Sequence, residues 1–147
     1  KEVQEARHLR EIIEVSIVRA VTAAPAAGLI KTLRSLIAAQ KKVKQGDNHS
    51  YLLLDEEFHR ALAMHAGREY MWRVTEGIKA QMNRVRFLTF DSATPMSQLT
   101  DEHSGVIDAI EAGDSELAAQ RMEQHLRALL TSLPLMAQRY PEHFVAE

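Results

Sequence analysis

The chain contains no cysteine. That absence excludes a disulfide framework and any thiolate metal site, and it suits a reducing compartment, so a cytoplasmic protein is expected. Any metal bound here must be held by nitrogen and oxygen. The sequence also lacks a signal peptide and any apolar run near the ~18 residues needed to cross a bilayer, so no membrane partner is expected. Neither sign of charge is in large excess: the formal net charge is -2, which gives no electrostatic support for direct DNA binding. Strand-type alternation, Asn-Gly or Asp-Gly hairpin turns and repeats of solenoid length are missing as well.

What remains is helical periodicity from end to end. With 147 residues, 46% of them hydrophobic and 26% charged, the chain has enough apolar mass for one domain, residues 1–147, with a real core. The spacing predicts an all-α antiparallel bundle of six to seven helices. Helix one is expected over about 3–23, with Val3, Ala6, Arg10, Ile13, Ile17 and Ala20 on one face and Pro25 and Gly28 after it. Helix two follows to about Val43. Its Lys31, Arg34, Lys41, Lys42 and Lys44 gather toward the C-terminal end, complement the helix dipole and read as a solvated face. Helix three is expected over 50–65, ended by Gly67. Helix four is expected over 69–90, with Met71, Ile78, Met82, Val85 and Thr89 inward and a loop at 91–95. Helix five is expected over 97–111, and helix six over 115–133, capped by Asp114 and ended or kinked by Pro134. The tail to Glu147 adds one more turn or short helix.

Four polar residues interrupt the inward stripes. Asp55 and His59 lie four apart, on a face that also carries Leu52, Leu62, Ala63 and Ala66. His103 shares its face with Val106, Ile107 and Ile110, and His125 shares its face with Ala118, Met122 and Leu129. Burying an uncharged polar group without a partner costs roughly 2 to 7 kcal/mol, so three histidines and a carboxylate aimed at one interior require a common explanation. A divalent cation supplies it. Neutral imidazole and carboxylate suit zinc foremost, with nickel, manganese or iron as the other choices, and four protein ligands leave positions open for water or a small anion. Taken singly, each histidine reads more simply as a hydrogen-bonded core residue; taken together, the four favour a metal.

Leu9-Arg10-Glu11-Ile12-Ile13-Glu14, Asp55-Glu56-Glu57-Phe58-His59-Arg60-Ala61-Leu62-Ala63, Glu102-His103 leading into Ile107-Asp108-Ala109-Ile110-Glu111-Ala112-Gly113-Asp114, and Ala118-Ala119 with Met122 and His125-Leu126 follow in that order. Together they resemble the FCD domain, the effector-binding and dimerisation half of FadR-subfamily regulators in the GntR family of bacterial transcription factors. The resemblance implies metal-ligand roles for Asp55, His59, His103 and His125. It also implies a homodimer and a small organic acid or similar effector bound beside the metal. Arg68 departs from the asparagine usual in the family after Ala66-Gly67. The chain begins at Lys1 and lacks the N-terminal winged helix that binds DNA in the family, so it reads as a piece of something longer. DNA is expected as a partner only through that missing domain.

Two arginines fit the role of completing an effector pocket for a carboxylate: Arg10, on the apolar face of helix one, and Arg86, which flanks the core stripe of helix four. For Arg10 an equal reading is a buried pair with Glu14 that fixes helix packing. Trp72 reads as core or dimer interface, and His8, His49, His65 and His143 as surface or local features. The function expected is therefore a metal-dependent ligand sensor and not an enzyme. The alternatives are a purely structural dimerisation module or a mononuclear metalloenzyme with Glu56 or Glu102 as general base. A di-iron bundle is disfavoured, because Glu56-Glu57-Phe58-His59 supplies one Glu-x-x-His while His125 has Met122 at the matching position.

Overall fold

Among the described residues, six α-helices form because apolar residues recur at helical spacing, and Gly28, Gly46, Gly67 and Gly113 stand at four of the junctions between them. A computed structural model describes residues 2–89 and 95–141, and the side chains among them apart from 81, 84–89 and 129–133. In chain order the helices are α1 (Glu2–Ala23), α2 (Leu29–Lys41), α3 (Asn48–His65), α4 (Glu69–Thr89), α5 (Met96–Glu111) and α6 (Ser115–Arg139). No strand occurs among the described residues, so the all-α expectation holds. The expected loop at 91–95 and the tail beyond 141, with His143, fall largely or wholly outside them.

The junctions explain the short connections. After α3, Gly67 takes φ 66°, its N–H bonds the Met64 carbonyl, and the Arg68 N–H reaches back to Ala63 at 2.9 Å. This is the paired C-terminal closure that a left-handed glycine permits, and Arg68 completes it through its backbone, whatever its side chain. Gly113 repeats the arrangement at φ 72°, with Asp114 bonding back to Ala109. The Asp114 carboxylate then accepts from Leu117 N–H at 3.0 Å to open α6.

Helix α1 packs against α6, α4 and α3, while α5 lies between α2 and α6. Ile17, Val18, Val21, Leu33, Phe58, Leu62, Val106, Ile107 and Met122 form the main core. Two expectations need correction. Helix α6 does not end at Leu133 but runs through Pro134 to Arg139. Proline forfeits one helical hydrogen bond, yet Met136 beyond it is fully buried and its carbonyl accepts from Tyr140 N–H at 2.8 Å, which holds the last turn. In α4 the buried stripe is Trp72, Thr75, Lys79 and Met82, whereas Met71 and Ile78 are only half-buried. The face is rotated by about one residue because a lysine and a threonine occupy inward positions. Val85 and Thr89 lie outside the described side chains.

The basic residues of α2 stay at the surface, as the solvated reading requires. Arg34 pairs with Asp108 at 2.7 Å and Glu111 at 2.9 Å, tying α2 to α5.

Candidate metal centre

Asp55, His59, His103 and His125 arrive from α3, α5 and α6 at one buried point, each 5% exposed or less, with one ligand atom apiece within 4.8 Å of the others. The apolar neighbours named above drive this convergence. Val106, Ile107 and Ile110 bury the face of α5 that carries His103, and Ala118, Met122 and Leu126 do so for α6. Phe58, fully buried, stacks on His103 with ring centroids 4.2 Å apart and fixes the plane of that imidazole.

Each ring turns Nε2 inward. His103 Nε2 lies 3.1 Å from His125 Nε2 and 3.2 Å from Asp55 Oδ1; His125 Nε2 lies 3.3 Å from His59 Nε2, and His59 Nε2 lies 3.7 Å from Asp55 Oδ1. Ligand atoms ~2.1 Å from a tetrahedral ion are ~3.4 Å apart, and cis ligands of an octahedral ion ~3.0 Å. The four separations have the size of a coordination polyhedron's edges.

The outer nitrogens decide which form each imidazole takes. His59 Nδ1 donates to Glu14 Oε2, and His125 Nδ1 donates to Glu102 Oε2 at 2.7 Å; a carboxylate only accepts, so the proton sits on Nδ1. His103 Nδ1 meets Gln40 Oε1 at 2.9 Å, and the Gln40 amide is oriented by its Nε2 donating to the Leu54 carbonyl at 3.3 Å. It too must carry its proton on Nδ1. Three Nε2 lone pairs and a carboxylate oxygen therefore face one another with no proton to share, an arrangement that repels itself unless a cation lies between. The donor set fits a divalent ion, with each histidine backed by an outer acceptor.

Electrostatics keep the His103 and His125 rings neutral. Burial, aided by the charge of neighbouring His125 and His59 and opposed by Asp55, pushes His103 from 6.5 down to about 3. Burial also lowers His125, against the pull of Glu102. Burial by itself pushes the Glu14 carboxyl up, but Arg10, the His59 ring and Lys79 outweigh it and hold that carboxyl well below the usual carboxylate range. Neutral imidazole and ionised carboxylate are the forms a metal needs.

Arg10, 3% exposed, bonds Glu14 Oε1 through Nε at 2.5 Å, which realises the α1 pair, while its buried Nη2 has no hydrogen-bond partner. The side chain of Arg86 lies outside the described residues. Trp72 is a core residue, 4% exposed, with Lys79 Nζ 4.5 Å from its ring centroid. His8 and His49 are exposed, and His65 Nδ1 bonds the Ala61 carbonyl.

Sequence reasoning missed Gln40 and Lys79, and assigned no site role to Glu14 beyond its pairing with Arg10. The signal that found the histidines was present for them: Gln40 continues the buried stripe of Leu29, Leu33 and Ile37, and Lys79 that of Trp72, Thr75 and Met82. Glu102 was assigned as a possible base, but its carboxylate instead orients His125.

Comparison with known proteins gives this geometry a family. The FCD domain model matches residues 5–128. Over 145 residues the chain is 28% identical to an uncharacterized HTH-type transcriptional regulator in an unstable DNA locus of Streptomyces ambofaciens, covering 99% of the chain and 61% of that protein. It is 24% identical over 147 residues to the HTH-type transcriptional repressor RspR of Escherichia coli, covering 99% of the chain and 64% of the repressor. A probable D-xylose utilization operon transcriptional repressor of Paenarthrobacter nicotinovorans is 26% identical over 99 residues, covering 67% of the chain and 43% of that protein. The chain thus spans under two thirds of the length of these regulators. With matching strings, helical bundle and buried Asp-His cluster all present, the chain belongs to the FCD domain family.

Proposed function

We propose that this chain is the metal-dependent, effector-sensing and dimerisation domain of a cytoplasmic transcription regulator. Asp55, His59, His103 and His125 hold a divalent ion, zinc foremost, and a small carboxylate metabolite binds beside it. The observation that carries this reading is the set of three proton-free Nε2 atoms and one carboxylate oxygen directed at a single point. When bound, the metal supplies a Lewis-acidic centre with open positions for an oxygen ligand. The chain's own residues hold the imidazoles in one tautomer and exclude water. Arg10 and Arg86 are the proposed effector contacts; the unpartnered Nη2 of Arg10 supports its part.

Regulation requires the effector to favour one of two arrangements of the protein, since a ligand shifts an equilibrium only through its differential affinity. Helix α1 is the element through which we route that shift, because Glu14 on α1 bonds a metal ligand directly. Leu9 and Ile12 on α1 and Tyr70 and Val74 on α4 remain exposed, which supports a homodimer. DNA binding is assigned to a helix-turn-helix domain separate from these residues, in keeping with the HTH-type regulators that its relatives are named as.

Elemental analysis before and after chelation, with a thermal-shift screen of small carboxylates in both states, tests this reading. Near-stoichiometric metal and acid-dependent stabilisation lost on chelation are expected, with metal retention abolished in His103→Ala and His125→Ala. A folded chain that takes up no metal under any loading condition would reduce the centre to a hydrogen-bonded core and leave a structural module.

A further inference from the structure

Away from the metal centre, the groove between α3 and α4 holds a cavity of about 270 Å³ lined by Glu56, Trp72, Glu76, Lys79, Ala80 and Asn83. None of the four metal-ligand candidates lines it. Asp55 and Glu56 are successive residues of α3, and one residue turns a helical side chain by about 100°. Asp55 therefore points into the buried cluster, while Glu56 points toward α4, where its Oε1 accepts from Asn83 Nδ2.

Two buried polar atoms of the residues around this cavity have no hydrogen-bond partner among the described residues, Trp72 Nε1 and Asn83 Oδ1. Buried polar groups are ordinarily paired, and Trp72 is 4% exposed. The two atoms differ in sense. The indole N–H only donates, and Lys79 Nζ, 4.5 Å from the ring centroid over its face, has no lone pair to accept it. The amide oxygen only accepts, and its place is fixed because Nδ2 is the atom that can give a hydrogen to the Glu56 carboxylate.

A water occupies about 30 Å³, so one bridging water leaves most of the cavity unfilled. A carboxylate ligand only accepts, so it would leave Asn83 Oδ1 unserved and face Glu56 and Glu76. An ammonium only donates, so it would leave the Trp72 N–H unserved and face Lys79. A hydroxyl both donates and accepts. Trp72 and Asn83 stand about three turns apart on α4, roughly 16 Å of helix rise, so a ligand serving both is elongated. We propose that this groove is a second ligand site, separate from the metal centre, for a small neutral polyol. Trp72 Nε1 donates to one of its hydroxyls and Asn83 Oδ1 accepts from another, with Glu56 holding the Asn83 amide in the accepting sense.

Trp72 is the single tryptophan of the chain, so its emission reports on the cavity. Titration of the chain with sorbitol, hexanoate and hexylammonium, which share a six-carbon skeleton, tests the proposal, with and without a chelator. Sorbitol is expected to shift the emission saturably, alike in both states, and to bind at least about tenfold more tightly than either ion, the scale of one hydrogen bond. Asn83→Leu should weaken sorbitol binding by a similar factor. Trp72→Phe, followed by calorimetry, should do the same while keeping an aromatic ring beside Lys79. Either ion binding as tightly as sorbitol, or an emission change that never saturates, would overturn the proposal even where a variant does not fold. Sorbitol affinity that survives both substitutions would also overturn it. So would affinity lost on chelation from a chain that stays folded, which would move the polyol to the metal centre.

Discussion

Replacing Gln40 with methionine removes one acceptor from the metal centre without changing side-chain length much. Gln40 is 2% exposed; its Oε1 accepts from His103 Nδ1 at 2.9 Å and its Nε2 donates to the Leu54 carbonyl at 3.3 Å. In Gln40→Met the His103 N–H is left buried and without an acceptor, which costs about 1 to 3 kcal/mol. For a chain of this size that corresponds to a fall in Tm of roughly 2 to 4 °C for each kcal/mol. The His103 ring also loses what fixes its tautomer and its basicity, and loss of such an outer partner costs about 10- to 100-fold in metal affinity. Competition for zinc against a chromophoric chelator, with thermal unfolding of the metal-free chain, reads the two effects separately. Gln40→Glu restores an acceptor at His103 but faces Leu54 with a second oxygen, so its zinc affinity should approach that of the parent while its metal-free stability stays reduced. Unchanged zinc affinity in Gln40→Met, or equal loss in both variants, would refute the argument that outer acceptors set the imidazoles to bind through Nε2.

Acidification should unfold the metal-free chain from the histidines first. His103 is pushed from 6.5 to about 3 and His125 is lowered, so below about pH 6.5 the unfolded chain takes up protons that the folded chain refuses. Stability is therefore greatest above that pH and falls as pH drops, with His103 alone removing about 1.4 kcal/mol by pH 5.5. Glu14, held low in the fold, adds to the loss in the same direction once the pH nears 4.5. Urea unfolding at pH 7.5 and 5.5 checks this, and an unchanged midpoint would contradict neutral buried rings. Gly77, exposed within α4 and with nothing within 4 Å of a built Cβ, should accept alanine with a gain of about 1 kcal/mol, read as a rise in Tm. A lower Tm for Gly77→Ala would show that the position needs glycine for a reason its surroundings do not reveal.

Helical class and most boundaries were legible because periodicity, Gly67, Gly113 and Asp114 act locally. The end of α6 was not, since the effect of Pro134 depends on what the following turn buries, and only packing reveals that Met136 is fully covered. The face of α4 was misjudged by about one residue for a related reason. Its interior holds Thr75 and Lys79, which an apolar pattern assigns outward, and that ammonium is buried over the Trp72 ring with Glu14 within its field.

The sequence by itself determined that Asp55, His59, His103 and His125 point inward, because each stands on an apolar stripe and a helix fixes which residues share a face. It left open whether the four meet at one point or occupy separate places in the core. Tertiary structure decided that, by packing α3, α5 and α6 so that their inward atoms lie within 4.8 Å. It also chose the outer partners: Glu14 lies 45 positions from His59 and Gln40 lies 63 from His103, separations at which no helical periodicity operates. Local chemistry names the donors, while the tautomer that lets them bind is set by acceptors that only the folded chain brings near.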